Sequence, residues 1–136
     1  RKINYSKPNK TERSGLVNSR VGQGYYRQII REKWGNKCPV TGCKIIGILI
    51  ASHIVPWSES NDAERLDADN GILLSPSADS LFDRHLISFT DQGGMLLSRK
   101  LEPLELKKLG ISPDVKIPVN EGMKKYLKRH RGKIDE

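Results

Sequence analysis

Four side chains in the middle of this sequence have types and spacings suited to chemistry on phosphorus. His53 is followed by Asn70 seventeen positions on, by Asp79 nine further and by Asp83 four beyond that. On a helix, the i, i+4 spacing sets Asp79 and Asp83 on one face, with both carboxylates in reach of one ion. Oxygen donors suit Mg²⁺ or Mn²⁺, and a Mg²⁺ site uses only one or two carboxylates beside water and substrate phosphate. A histidine opposite such a pair could activate water for attack on phosphorus. Singly, each signal is weak. A histidine at a strand end is more often structural, an i, i+4 Asp pair is more often a solvated helix face, and Asn-Gly is usually a turn. The set together is what points to chemistry.

The surrounding pattern supplies elements to hold them. Residues 1–15 are polar, basic and broken by Pro8 and Gly15, and read as a linker or flexible basic arm. From Leu16 to Lys33 apolar residues recur at three and four, a helical period that Gly22 and Gly24 are expected to interrupt, so that two short helices fit as well as one. Trp34-Gly35 closes that segment. CPVTGC (38–43) is turn-like, and a β-rich run from Lys44 to Val55 ends at Pro56. Residues 57–69 form an acidic loop, Asn70-Gly71 reads as a turn, and Ile72–Leu74 as a short strand. Ser75-Pro76 caps and opens a helix to about Arg84. Strands at 86–90 and 95–98 form a hairpin, a short helix spans 102–109, and 120–131 is a basic terminal helix.

Composition narrows the class. With 136 residues and 36% hydrophobic side chains, the chain suits one domain, or one domain and a tail. Its longest apolar run, Ile45–Ala51, is broken by Gly47, far short of the ~20 residues a membrane span needs. Arg1 opens a polar stretch with no signal-peptide core. A chain that starts without Met is expected to be the C-terminal part of a larger protein. Two cysteines, Cys38 and Cys43, exclude a disulfide framework and a four-Cys zinc ribbon. They read as buried free thiols around Gly42, so no structural zinc is expected, and a cytoplasmic setting suits them.

Charge is uneven. Residues 1–37 carry ten basic and two acidic side chains, net +8; residues 38–115 carry seven and eleven, net −4; residues 116–136 carry seven and three, net +4. A polyanion held by the flanks, with the central carboxylates on a metal, accounts for this distribution; a basic solubilising surface is the plain alternative.

The stretches ASHIVPW (51–57) and LDADNGILLSPSADSLFDRHLISF (66–89) resemble the HNH endonucleases, particularly the branch found in bacterial restriction and modification-dependent nucleases. RVGQGYYRQIIREKWGNKCPVTGC (20–43) and YLKRHR (126–131) resemble that branch too. The resemblance implies an α+β fold: a ββα-metal core with additional N- and C-terminal helices and a β-hairpin, over 16–136. It implies His53 as general base and Asn70 as the residue fixing the loop that orients it. Asp79 falls where the family's final His ligand usually lies, and Asp83 where some members have a further ligand. Ser52 stands where a metal-binding Asp or His is common, so the motif here is His–Asn–Asp.

The implied function is metal-dependent hydrolysis of DNA phosphodiester bonds by a one-metal, His-base mechanism, as the cleavage module of a restriction or modification-dependent enzyme. Mg²⁺ is the first choice of ion, with Mn²⁺ or Ni²⁺ as alternatives. DNA is the expected partner, with recognition in an upstream domain and homodimerisation where both strands are cut. Arg20, Arg27, Arg31, Lys33, Arg84, Lys125 and Arg129 are the expected phosphate contacts, which give affinity without sequence readout. His130 is expected at the surface or beside phosphate, and His85 in a structural place. The competing readings are a non-catalytic nucleic-acid-binding module that keeps the fold, and a nuclease acting on RNA or structured DNA.

Overall fold

A computed structural model describes residues 9, 11, 15, 17 and 19–136; the expected basic arm lies almost wholly outside these residues. Helix α1 spans Arg20–Lys33, capped by the Ser19 side chain, which accepts from the Gly22 N–H at 2.9 Å. It runs unbroken through Gly22 and Gly24, against the expected interruption. Each glycine costs a helix interior only about 1 kcal/mol, and the buried Tyr25, Tyr26 and Ile30 outweigh that. Gly35, at φ +63°, provides the left-handed stop.

The β-rich run yields less strand than expected. Residues Ile46–Ile48 form a 3-10 turn, and only β1, Ile50–His53, is extended. It pairs antiparallel with β2, Gly71–Leu74, with His53 opposite Gly71 and Ser52 opposite Ile72. β2 is four residues long and buried throughout, so it offers no partner to a longer β1. Helix α3, Pro76–Asp83, starts at the expected Ser75-Pro76 and packs on both strands. Helix α1 packs on the same ribbon. Since neighbouring strand residues face opposite sides, Ser52 turns toward α3 and His53 toward α1.

The connection between β1 and β2 is more ordered than a loop. It contains a 3-10 turn at Trp57–Glu59, the short helix α2 (Asp62–Arg65) and a second 3-10 turn at Ala68–Asn70. α2 begins with a reciprocal capping box between Asn61 and Glu64. A hairpin of β3 (Ile87–Phe89) and β4 (Met95–Leu97) follows, turning at Gly93, φ +87°. Helix α4 spans Pro103–Lys108, and α5, Glu121–Arg131, crosses β3 and the Ala68–Asn70 turn. Ile30, Ile72, Leu73, Phe82 and Leu127 are among the side chains fully buried between these layers. Among the described residues no helix is long and apolar enough to cross a membrane.

The acidic middle finds its counter-charges in the basic flanks. Asp67 accepts from the Tyr126 hydroxyl at 2.7 Å. Asp69 accepts from Lys33 at 3.0 Å and from the Asn120 amide at 2.9 Å. Glu64 pairs with Arg129 at 2.8 Å, and Glu59 pairs with Lys133. Most of the acidic segment is therefore clamped by α1 and α5.

Candidate active site

His53, the last residue of β1, is fixed on three sides. The Tyr26 ring lies parallel to the imidazole, with centroids 4.0 Å apart and 3° between planes. Trp57 meets it edge-on at 5.8 Å. Nε2 lies 2.8 Å from the carbonyl oxygen of Arg65. A carbonyl only accepts, so Nε2 carries the proton and Nδ1 the lone pair. Burial holds the imidazole below its ordinary pKa; the Arg65 carbonyl bond opposes this and the Arg65 charge adds to it. The ring is therefore neutral near pH 7, the state a proton acceptor requires.

Asn70 is fully buried and saturated. Its Oδ1 accepts from the Val55 N–H at 2.9 Å, and its Nδ2 donates to the Glu64 carbonyl at 3.0 Å and the Ser60 hydroxyl at 3.4 Å. Its own carbonyl accepts from the Tyr26 hydroxyl at 2.8 Å and from the Ile54 N–H at 3.2 Å. Glu64 immediately precedes Arg65, so Asn70 holds the peptide next to the one that holds His53. The Asn70-Gly71 pair is not a hairpin turn: Asn70 closes a 3-10 turn and Gly71, at φ −161°, is ordinary extended backbone. Glycine stands there because a Cβ would run into the Tyr26 hydroxyl and the Ile30 side chain.

Ser52, Asp79 and Asp83 gather on the other face. Ser52 is buried, and its hydroxyl hydrogen-bonds the half-buried Asp79 carboxyl. Desolvation raises the pKa of Asp79 and the neighbouring Asp83 charge raises it further, while Ser52 and Arg84 oppose. Asp83 is exposed. Among the described residues neither carboxylate is in an ion pair, unlike the carboxylates of the preceding loop. Two carboxylates one helical turn apart and outside any ion pair, with a hydroxyl beside them, are hard oxygen donors that could hold a Mg²⁺-type ion together with water. The set is small: among the described residues no three His, Cys, Asp or Glu side chains could hold an ion together.

The structure thus joins Ser52 with Asp79 and His53 with Asn70, and separates the two pairs by one residue of strand. Sequence reasoning missed three residues that touch the candidate base, Tyr26, Trp57 and Arg65. A tyrosine in a helical apolar stripe reads as core, and a main-chain carbonyl leaves no trace in a sequence.

The expected phosphate contacts divide. The Arg20 side chain lies outside the described residues. Arg27 is exposed and lines a cleft of about 510 Å³ together with Tyr26, Leu49, His53 and Trp57. Arg31 is partly buried. Arg84 is exposed and bonds the Ser80 hydroxyl at 2.6 Å within its own helix. Lys125 is exposed, 5.0 Å from the Tyr126 ring centre. Lys33 is held by the Ala68 carbonyl at 3.1 Å and by Asp69, and Arg129 by Glu64 and the Glu59 carbonyl, so both brace the loop.

His130 is buried, not at the surface as expected. Its Nε2 donates to the Phe82 carbonyl at 2.7 Å, Nδ1 accepts from the Ser88 hydroxyl at 2.7 Å, and desolvation brings its pKa down to about 4. His85 sits beside it with ring centroids 4.2 Å apart.

Residues 38–90 match the family model described as HNH endonuclease. The matched segment runs from the cysteine turn through β1, the connecting loop, β2, α3 and β3, and contains His53, Asn70, Ser52, Asp79 and Asp83. No curated protein matches the chain.

Proposed function

We propose that this chain is a metal-dependent DNA endonuclease domain with a ββα-metal core, acting as the cleavage module of a restriction or modification-dependent enzyme. The observation that carries the reading is the relay from Asn70 through the Glu64–Arg65 peptides to His53. It holds a neutral imidazole in one tautomer at the strand end, one residue from Ser52 and the carboxylates of α3. The similarity to HNH endonucleases over 38–90 supports the nuclease class.

In this reading His53 Nδ1 accepts a proton from water as its oxygen attacks phosphorus, and the Arg65 carbonyl steadies the imidazolium through Nε2–H. Asp79, Asp83 and Ser52 would hold the divalent ion, Mg²⁺ first and Mn²⁺ or Ni²⁺ as alternatives. When bound, it supplies positive charge to the transition state and the departing oxygen. Arg27, Arg84 and Lys125 are the cations available for backbone contacts.

A second reading has its own observation. Ser52 is a weak ligand and the donor set is sparse, which favours a module that binds nucleic acid without cutting it. Supercoiled plasmid incubated with Mg²⁺, Mn²⁺, Ni²⁺ or EDTA, for the wild type and His53→Ala together, separates the two. Metal-dependent nicking lost in His53→Ala supports the nuclease. Retarded but intact plasmid with both proteins supports the binding module.

A further inference from the structure

Tyr26 is the residue through which α1 meets both halves of the His53–Asn70 pair. Its ring covers one face of the imidazole at 4.0 Å and 3°, while its hydroxyl donates to the Asn70 carbonyl at 2.8 Å. The side chain is 6% exposed. Burial, followed by the nearby Asp67 and Tyr126, holds the phenol well above its ordinary pKa, so the hydroxyl stays protonated and remains a donor. Gly71 is the gap that admits it, since a Cβ there would meet that hydroxyl. Filling the core would need only an apolar side chain. A parallel aromatic face with a buried, satisfied hydroxyl at its tip does more than fill space.

An imidazole on a single Cβ–Cγ bond has a broad torsional well. The Arg65 carbonyl selects which edge of the ring faces the loop, but one hydrogen bond leaves the ring free to tilt about it. A flat ring stacked on the face removes the tilt. We infer that Tyr26 is a positioning residue for the general base: its ring, stacked flat on the imidazole, sets the plane of His53. This rests on the nuclease reading above and deepens it.

The test compares wild type, Tyr26→Phe, Tyr26→Leu and His53→Ala in steady-state cleavage of a duplex with Mg²⁺ or Mn²⁺, alongside proton NMR of the His53 ring. Tyr26→Phe keeps the stack and is expected to retain kcat within about threefold. Tyr26→Leu is expected to lose about tenfold to a hundredfold in kcat with KM little changed, the size of effect that small misplacement of a reacting group produces. The His53 ring protons are expected upfield in wild type and Tyr26→Phe from the tyrosine or phenylalanine ring current, and to lose that displacement in Tyr26→Leu. A folded Tyr26→Leu variant with wild-type kcat overturns the inference, as does equal loss in Phe and Leu. Should Tyr26→Leu fail to fold, the wild-type spectrum decides, and unshifted His53 protons overturn the inference without any variant. A wild type that cuts, is silenced by His53→Ala and is indifferent to Tyr26→Leu counts against Tyr26 alone. A wild type that never cuts overturns the nuclease reading, and this inference with it.

Discussion

The Nε2–H of His53 donates to the main-chain carbonyl of Arg65 at 2.8 Å. The candidate base is therefore oriented by backbone, and its tautomer is fixed by an acceptor that does not titrate. What keeps that carbonyl in place is the loop itself, pinned by Asn70 at the Glu64 carbonyl and by Arg129 of α5 at the Glu64 side chain.

Replacing Asn70 tests this relay. Asn70→Ala leaves the buried Val55 N–H without its partner, at a cost of about 1–3 kcal/mol, and takes the side-chain amide from the Glu64 carbonyl, which keeps the Asp67 N–H at 3.3 Å. The variant is expected to be less stable by about 2–4 kcal/mol in urea unfolding, and to nick plasmid more slowly than that loss of folded protein explains. An unchanged unfolding midpoint would remove Asn70 from the structural role.

Gly71→Ala is the converse experiment. Glycine inside a strand ordinarily weakens it, so alanine would stabilise if space allowed. Here the added methyl meets the Tyr26 hydroxyl and Ile30, and overpacking of this kind costs about 1–3 kcal/mol. A lower melting temperature is expected, together with weakened upfield displacement of the His53 ring protons. A higher melting temperature would show that α1 can move away freely.

The two α3 carboxylates are expected to favour metal over stability. The pKa of Asp79 is raised in the fold by burial and by Asp83. An acid whose folded pKa lies above its unfolded one destabilises the fold once pH exceeds the unfolded value, so at pH 7 without metal the ionised Asp79 works against folding. Asp79→Asn should raise the metal-free melting temperature while weakening the stabilisation that added Mg²⁺ or Mn²⁺ gives. The Asp79→Ala, Asp83→Ala double variant should lose metal-dependent nicking, and full-rate nicking by it would refute the ligand assignment.

Acid sensitivity should come largely from His130. Its pKa is lowered from 6.5 to about 4 by burial. Unfolding lets the ring take up a proton that the folded state refuses, so the unfolded chain binds more protons between those values. The contribution to stability is fully present above about pH 6.5 and is lost as pH falls toward 4. At 1.4 kcal/mol per unit this amounts to about 3 kcal/mol. Urea unfolding between pH 7 and pH 4.5 should show the decline, and His130→Gln should flatten it.

The sequence alone determined the order of elements wherever the rule is local. The helix start at Ser75-Pro76 (set by Pro76, since the Ser75 hydroxyl makes no capping bond), the hairpin about Gly93 and the basic terminal helix are all written in neighbouring residues. The candidate side chains His53, Asn70, Asp79 and Asp83 were legible there too, because residue types and their spacing are fixed by the sequence. Local rules failed where a distant partner decided. Gly22 and Gly24 were expected to break a helix that burial against β1 and β2 holds together. Gly71 looked like half of a turn, when its missing Cβ makes room for a tyrosine on another element. The acidic stretch read as a loop, and the structure pairs its Asp69, Glu64 and Glu59 with Lys33, Arg129 and Lys133 of the basic flanks. Only the tertiary structure decided that Ser52 and His53 face opposite sides of one ribbon, and that a carbonyl and a tyrosine ring hold the His53 imidazole. Every residue has a carbonyl and many helices carry a buried tyrosine, so those roles arise from packing, which spacing along the chain does not encode.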